Sequence, residues 1–375
     1  MIPYSTQLID EEDIASVVEV LKSSYLTQGS KVEAFEEALC KYTGAKYAVT
    51  FNSATSALMG AYKVSGLQKD DEIITTPISF VATSNMAIAL DAKPVFCDIK
   101  LDGNIDERFI EKHISKKTKA IIPVHFGGKP VNLKKIQEIA DKYNLLVIED
   151  ACHALGSSIN NKKIGSFSDM TIFSFHAIKP ITTGEGGAVL TENKAYAEEL
   201  RRFRSHGIIK KQFWNMDMIE MGHNYRMTDI AAALGLSQIK KLDAFIKTRD
   251  TIAAYYDERF QNHKLFQTIE IPENETSARH LYPITLIPQL QCPKEDIYKE
   301  LHDKGIGVQV HYKPIHQNSF YINKYGKQDF PVAQDFYRSE LSLPCHQKMS
   351  LEDAKFVADT FLEVLDQHST RGCSF

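Results

Sequence analysis

Between about residues 45 and 192, seven short apolar runs alternate with helical stretches, and no other feature of the chain limits its fold so tightly. The runs are YAVTF (47–51), DEIITTP (71–77), KPVFCDI (93–99), KAIIPVHF (119–126), LLVIED (145–150), MTIFSF (170–175) and GGAVLTE (186–192). They are separated by patterns such as NLKKIQEIADKY, whose apolar residues recur at three- and four-residue spacing. Strands of this kind, with covering helices between them, predict an α/β fold: a mainly parallel seven-stranded sheet with helices on both faces.

After residue 192 the texture changes. KAYAEELRRFRSHG reads as a helix stopped at Gly207, and TDIAAALGLSQIKKLDAF as one started by a Thr-Asp cap. From about 246 a smaller α+β unit is expected, with strands at 282–288, 307–312 and 340–345 and helices near 294–304 and 350–366. The last of these opens on SLED, a capping box at Ser350. The chain therefore divides into a large domain, 1–245, and a small one, 246–375. The N-terminal segment, which holds a helix with Ile14, Val17, Val18 and Leu21 on one face, is expected to pack across both.

Composition excludes several functions. The 375 residues hold 44 Lys+Arg against 48 Asp+Glu, a net charge of −4, which argues against a nucleic-acid binder. No apolar run approaches the roughly 18 residues of a membrane span. The start, MIPYSTQLIDEED, lacks the basic and apolar regions of a secretory leader, and the terminal RGCSF is one residue short of a prenylation box. The six cysteines (40, 97, 152, 292, 345, 373) form no CxxC and no metal spacing. Reduced thiols, a cytoplasmic location and no metal are expected.

Ligands of parallel sheets gather past the carboxyl ends of strands. After YAVTF comes NSATSAL, small hydroxyl residues opening a helix, which suits a phosphate or a simple cap. LLVIED ends in Asp150, followed by Cys152 and His153. MTIFSF is followed by HAIKP, so Lys179 stands just past a buried strand and ahead of a glycine-rich return. It is either a working amine or a snorkelling side chain. Phosphate cup, strand-end acid and lysine together form the kit for pyridoxal phosphate, with the lysine as Schiff base and the acid on the ring nitrogen.

ATSAL (54–58), TTPISFVATSN (75–85), VIEDACHALGS (147–157), SFHAIKPITTGEGG (174–187) and MGHNYRMTDIAAALG (221–235) occur in order. In these segments the chain resembles the DegT/DnrJ/EryC1/StrS sugar aminotransferases, fold-type-I pyridoxal phosphate enzymes that work as homodimers with shared active sites. The resemblance implies that Lys179 carries the cofactor and that Asp150 holds its pyridine nitrogen. It also places His153 near the ring hydroxyl. Ala54, Thr55, Ser56 and Ser174 fall at the phosphate, and Phe80 stacks on the ring opposite Cys152 or its backbone. Asn224 reaches the phosphate from the other subunit. Ala54 stands where most members have glycine, which questions a positive-φ backbone there.

FNSATSAL, TTPISFVAT, FRSHG, LTQG and VQVHYKP resemble the pseudaminic acid branch of this family. That resemblance implies a UDP-linked 4-keto-6-deoxy-N-acetylhexosamine as substrate and L-glutamate as amine donor. Tyr4, the stretch Ser24, Tyr25, Leu26 and Thr27, and the stretch Gln309, Val310, His311 and Tyr312 become candidates for the sugar pocket; Arg226 and Lys313, read from the sequence alone, are either cations for the diphosphate or solvated basic side chains. A bacillosamine-type sugar remains an alternative. The keto-sugar dehydratases replace the lysine with histidine, which Lys179 opposes. A nicotinamide enzyme would need GxGxxG where NSATSAL stands. A binding protein that kept the scaffold would not need the Lys179 and Asp150 set.

Overall fold

The computed structural model describes residues 1–212, 214–287 and 293–370; Cys292, Cys373 and Pro288 of the 282–288 run lie outside them. Helices α1 (Glu11–Leu21) and α2 (Ser30–Thr43) lead into strand β1 (Tyr47–Phe51) and helix α3 (Ala54–Val64). Next come β2 (Glu72–Thr75), α4 (Ala82–Ile88), β3 (Lys93–Phe96), β4 (Thr118–Ile122), α5 (Leu133–Tyr143) and β5 (Leu146–Asp150). The short β6 (Ser158–Ile159) and β7 (Lys162–Lys163) precede β8 (Met170–Ser174) and β9 (Gly187–Thr191).

The large sheet has the order β1-β9-β8-β5-β4-β2-β3. Six of its seven strands fall within the runs expected from the sequence, and β4 begins one residue ahead of its run, at Thr118. β9 alone is antiparallel to its neighbours, β1 and β8, while β8, β5, β4, β2 and β3 pair in parallel. Every residue of β8 and β9 is buried, as strands covered on both faces must be. One apolar cluster holds Phe35, Ile121, Val147 and Phe173; another holds Val49, Leu58, Ile73 and Ile172. The reversal at β9 has one further effect: β1 and β8 point the same way as β5, β4 and β2, so the ends of all five strands share one edge.

Helix α6 (Lys194–Phe203), a hairpin of β10 (Ile208–Gln212) and β11 (Asn215–Met218), and α7 (Asp229–Ile239) follow. Thr228 caps α7 by accepting the Ala231 N–H, as the Thr-Asp signal predicts. Helix α8 (Leu242–Arg259) then passes from one core to another. Its Leu242, Phe245 and Ile246 join the sheet cluster, whereas Ile252, Ala253 and Tyr256 join a C-terminal cluster with Ile284, Leu301 and Phe361. Between these halves Arg249 is fully buried and donates to the carbonyls of Cys345 (2.6 Å) and Arg279 (3.0 Å) and to Gln347 Oε1 (2.7 Å).

The C-terminal part contains β12 (Phe266–Thr268), β13 (Glu275–Thr276), β14 (Tyr282–Leu286), α9 (Lys294–Asp303), α10 (Ser319–Tyr325), α11 (Pro331–Ser339), β15 (Glu340–Leu343) and α12 (Leu351–Thr370). β12-β14-β15 form an antiparallel sheet, and β13 pairs with β6. Ser350 and Asp353 make the expected capping box of α12 through reciprocal backbone bonds. The expected strand 307–312 is a correction. Only Gln309 pairs with β15, through Ser342, and the His311 N–H is taken by the Glu340 side chain (2.7 Å) instead of a ladder carbonyl. The sheet's third strand is β12.

Within the N-terminal segment, α1 leaves most of its expected apolar stripe exposed. Helix α1 packs chiefly on α7, held by Gln238 Nε2 on Asp13 Oδ2 (2.7 Å) and Ser16 Oγ on the Ala233 carbonyl (3.0 Å). These polar anchors set its register, so Asp13 is buried while Ile14 (48%), Val18 (37%) and Leu21 (55%) are exposed. The segment before α1 makes the crossing. Ile2 bridges to Ile306, and Ser5 Oγ donates to the Ile178 carbonyl (3.0 Å) beside Lys179.

Candidate active site

Because five strand ends share an edge, residues far apart in sequence meet there around a cavity of about 420 Å³. β1 delivers the start of α3, with Ser53, Ala54 and Thr55 on the wall. The turn after β2 brings Ser79 and Phe80, and the first turn of α4 brings Thr83. β5 ends at Asp150 with Cys152 and His153 beyond it. β8 ends at Ser174, and its connection to β9 carries Lys179. Tyr4, His280, His311 and Tyr312 close the cavity from the N-terminal segment and the C-terminal part.

Helix α3 begins with a capping box. Ser53 Oγ accepts the Ser56 N–H (3.1 Å), and Ser56 Oγ accepts the Ser53 N–H (3.2 Å). Ser56 is thereby buried and engaged, also donating to Asn52 Oδ1 (2.6 Å), and Ser53 and Thr55 present the hydroxyls at the wall instead. The first-turn amides and the positive end of the helix face an anion well. Ala54 adopts an ordinary helical conformation, which disposes of the need for a positive φ. The close approach is accommodated across the contact: a Cβ on Gly187 would lie 2.5 Å from the Ala54 nitrogen.

Asp150 is 5% exposed and doubly held. Oδ2 accepts from Thr83 Oγ1 (2.6 Å) and Oδ1 from the Cys152 N–H (3.2 Å). Since the Thr83 proton goes to the carboxylate, Ser79 Oγ supports Thr83 from behind (2.8 Å). Lys179 lies across the same cavity with Nζ 3.4 Å from His280 Nε2. Desolvation by the cavity wall lowers its pKa, against the opposing pull of Cys152 and Asp150. Burial, reinforced by Lys179, likewise depresses His153 and His280 well below the usual histidine range. His153 Nδ1 accepts the Gly127 N–H (3.3 Å), so its proton sits on Nε2 and donates to Tyr312 Oη (3.2 Å).

The cavity thus gathers Ala54, Thr55, Phe80, Asp150, His153, Ser174, Lys179, Tyr4, His311 and Tyr312 from the expected set. It does not gather the others. Ser56 is turned into its own cap. Gln309 and Val310 lie outside the lining, with Val310 packed on the C-terminal core. Ser24, Tyr25, Leu26, Thr27, Asn224 and Lys313 are exposed away from this chain's own cavity. Arg226 also lies outside it. Ser79, Thr83 and His280 were not anticipated. The hydroxyls at 79 and 83 are one helical turn apart, a spacing that could have marked them; ARHLYP carries no such mark, and His280 arrives by packing alone.

The donor set is a desolvated amine facing a buried carboxylate, an anion-binding helix start, and the Phe80 ring left 61% exposed on the wall. The model of the DegT/DnrJ/EryC1/StrS aminotransferase family matches residues 7–362. The chain belongs to this family. It is 50% identical over 370 residues, 98% of both chains, to the UDP-4-amino-4,6-dideoxy-N-acetyl-beta-L-altrosamine transaminase of Campylobacter jejuni strain 81-176. Among solved structures it resembles Helicobacter pylori PseC, an aminotransferase in the biosynthesis of pseudoaminic acid. There the TM-score is 0.96 at 44% identity, covering 98% of this chain and 99% of that one. It also resembles the PLP form of the putative sugar aminotransferase Spr1654 of Streptococcus pneumoniae, with TM-score 0.92 at 30% identity, covering 98% and 99%.

The chain is an aminotransferase with the seven-stranded fold-type-I architecture, and its cofactor is pyridoxal phosphate. The site fits that group on its own chemistry. His280 Nδ1 is buried with no partner among the described residues, and the cavity supplies an amine, a carboxylate, an anion cup and an open aromatic face.

Proposed function

We propose that this enzyme moves an amino group from L-glutamate to C4 of a UDP-linked 4-keto-6-deoxy-N-acetylhexosamine, UDP-2-acetamido-2,6-dideoxy-β-L-arabino-hexos-4-ulose, in pseudaminic acid biosynthesis. The observation that carries this reading is the near-complete match, at 50% identity, to a transaminase of the altrosamine series, combined with Lys179 and Asp150 on one cavity.

When bound, pyridoxal phosphate supplies an electron sink for the bond broken at the amino-acid carbon. Lys179 would hold its carbonyl carbon, Asp150 its ring nitrogen, and the α3 start with Ser53 and Thr55 its phosphate. Asp150 suits a cationic partner because Thr83 and Cys152 hold it in place. Burial lowers the Lys179 pKa and so favours the free amine, the form that would take up a proton from the donor's Cα and return one at the sugar's C4. Phe80 would stack on the ring, while Tyr4, His311 and Tyr312 would face the sugar.

The chain is proposed to work as a homodimer. Large apolar side chains stand exposed on α1 (Leu21, 55%), at Tyr25 (67%) and along the β10–β11 hairpin (Trp214, 79%; Met216, 63%), more than a lone subunit needs to show. In a dimer Ser24–Thr27 and Asn224 would serve the other subunit's cavity. We read residues 1–245 as the large domain and 246–375 as the small one, joined within α8. Among the described residues no helix is long and apolar enough to cross a membrane. Free thiols at Cys40, Cys97, Cys152 and Cys345 fit a reducing compartment, and we place the enzyme in the cytoplasm.

The test is a panel of UDP-4-keto-6-deoxy sugars of the altro and gluco series with glutamate, read by product NMR. The proposal expects amination of the altro-series sugar; exclusive use of the gluco sugar would move the enzyme to a bacillosamine-type branch. Borohydride treatment should fix the cofactor to Lys179, identified by peptide mass.

A further inference from the structure

Behind the cavity wall lies a buried chain of hydrogen bonds that the reaction described above does not use. Glu340, at the start of β15, is fully buried; its Oε2 accepts the His311 N–H (2.7 Å), and its Oε1 lies 2.6 Å from Ser342 Oγ. Ser342 Oγ is in turn 2.9 Å from His311 Nδ1. Glu340 therefore clasps His311 twice, by backbone and, through Ser342, by ring. His311 Nε2 has no hydrogen-bond partner among the described residues, and the side chain lines the cavity.

We propose that Glu340 and Ser342 are positioning residues that set the tautomer of His311, so that its Nε2 offers the sugar a defined hydrogen-bonding sense. This rests on the proposed substrate only for the identity of the ligand. With a proton on Glu340, the carboxyl donates to Ser342, Ser342 donates to Nδ1, and the imidazole proton sits on Nε2, where it donates to a sugar oxygen. With Glu340 ionised, Ser342 donates to the carboxylate, Nδ1–H donates to Ser342, and Nε2 becomes an acceptor. Between these states the Glu340 proton passes to Ser342 and the Ser342 proton to Nδ1. The proton lost to water is the one on Nε2, so the imidazole stays neutral throughout.

The surrounding charges are consistent with this. Burial pushes the Glu340 carboxyl up to about 8, against Lys294 of α9, whose charge favours the carboxylate and whose Nζ donates to the Tyr337 carbonyl. Burial and the Lys179 amine hold His311 down to about 3, so it does not become cationic near neutral pH. Its other close neighbours are the rings of Tyr4 (5.4 Å) and Tyr312 (4.8 Å), with His153 and His280 beyond.

The experiment is ¹⁵N NMR of histidine-labelled holoenzyme, with the His311 signals identified by their loss in His311→Gln. Wild type should carry Nε2–H at pH 6.5 and Nδ1–H at pH 9.5, with a midpoint near 8. Glu340→Gln and Ser342→Ala should each abolish the interchange. One tautomer at both pH values in wild type, or the same midpoint in Glu340→Gln, overturns the proposal. In turnover, KM for the keto sugar should rise about 3–10-fold across that range in wild type, the size of one hydrogen bond. It should stay within about twofold in Glu340→Gln. If no such sugar is turned over, the substrate assignment fails while the NMR result still decides the relay.

Discussion

Thr83 Oγ1 donates a 2.6 Å hydrogen bond to Asp150 Oδ2, joining the start of α4 to the end of β5 across 67 positions of sequence. The carboxylate keeps its orientation through this bond and the Cys152 amide, and a bond to a charged group contributes roughly 1.5–3 kcal/mol. Thr83→Val keeps the shape and removes the donor. It should lower kcat/KM by about 10–100-fold in steady-state assays while leaving thermal stability within a few degrees. Asp150→Asn should cost more, because no charge then remains for the ring nitrogen.

Gly187 is pressed against the first turn of α3. A methyl group there would come 2.5 Å from the Ala54 nitrogen and 2.6 Å from its Cα, both backbone atoms with no freedom to yield. Gly187→Ala should therefore push the helix start away from the cavity. Dissociation of pyridoxal phosphate, followed by loss of its absorbance on dialysis, should rise by at least tenfold, with a secondary loss of thermal stability.

Arg249 ties α8 to the loops before β14 and after β15. Replacing it with Met would leave the carbonyls of Cys345 and Arg279 and the Gln347 side chain without their donor in a buried seam. The expected cost is about 3–5 kcal/mol of unfolding free energy by denaturant titration, since a buried acceptor left without its donor costs roughly 1–3 kcal/mol and three are left here. A change below about 1 kcal/mol would contradict the bonding described.

Acid should destabilise the fold early. His153, His280 and His311 are all held below the ordinary histidine pKa by burial, so the unfolded chain binds protons there that the folded chain refuses. Their stabilisation is present above about pH 6.5 and is lost as pH falls toward the His311 value of about 3, by up to about 1.4 kcal/mol per pH unit for each group. Glu340 works in the opposite direction, retaining a proton when folded up to about pH 8. Burial also lowers His113, His263, His316 and His346 and raises Asp250 and Glu275; seven histidines outweigh three carboxyls, so denaturant midpoints should fall from pH 6.5 to 4.5, and His311→Gln should flatten the slope.

The seven strands of the large sheet were legible because each is apolar, short and bounded by turn or helix signals, and burial on both faces leaves no competing register. The stretch 307–312 has the same β-branched alternation but makes no ladder, because a buried carboxyl 29 residues later takes the His311 amide. The stripe on α1 misled for a related reason: Asp13, paired by Gln238, turned the opposite side inward.

At the site, the sequence by itself determined which residues stand just past strand ends, since Asp150, Ser174 and Lys179 follow buried runs whatever the strands' order. Only the tertiary structure decided that they share one edge, through the reversed β9. It also decided that Ser56 serves its own helix, and that Ser79, Thr83, His280 and the Glu340–Ser342 pair support the cavity. A strand end is fixed by a local pattern of burial. A hydrogen bond between residues 67 or 101 positions apart depends on the packing of whole elements, and nothing in the intervening residues encodes it.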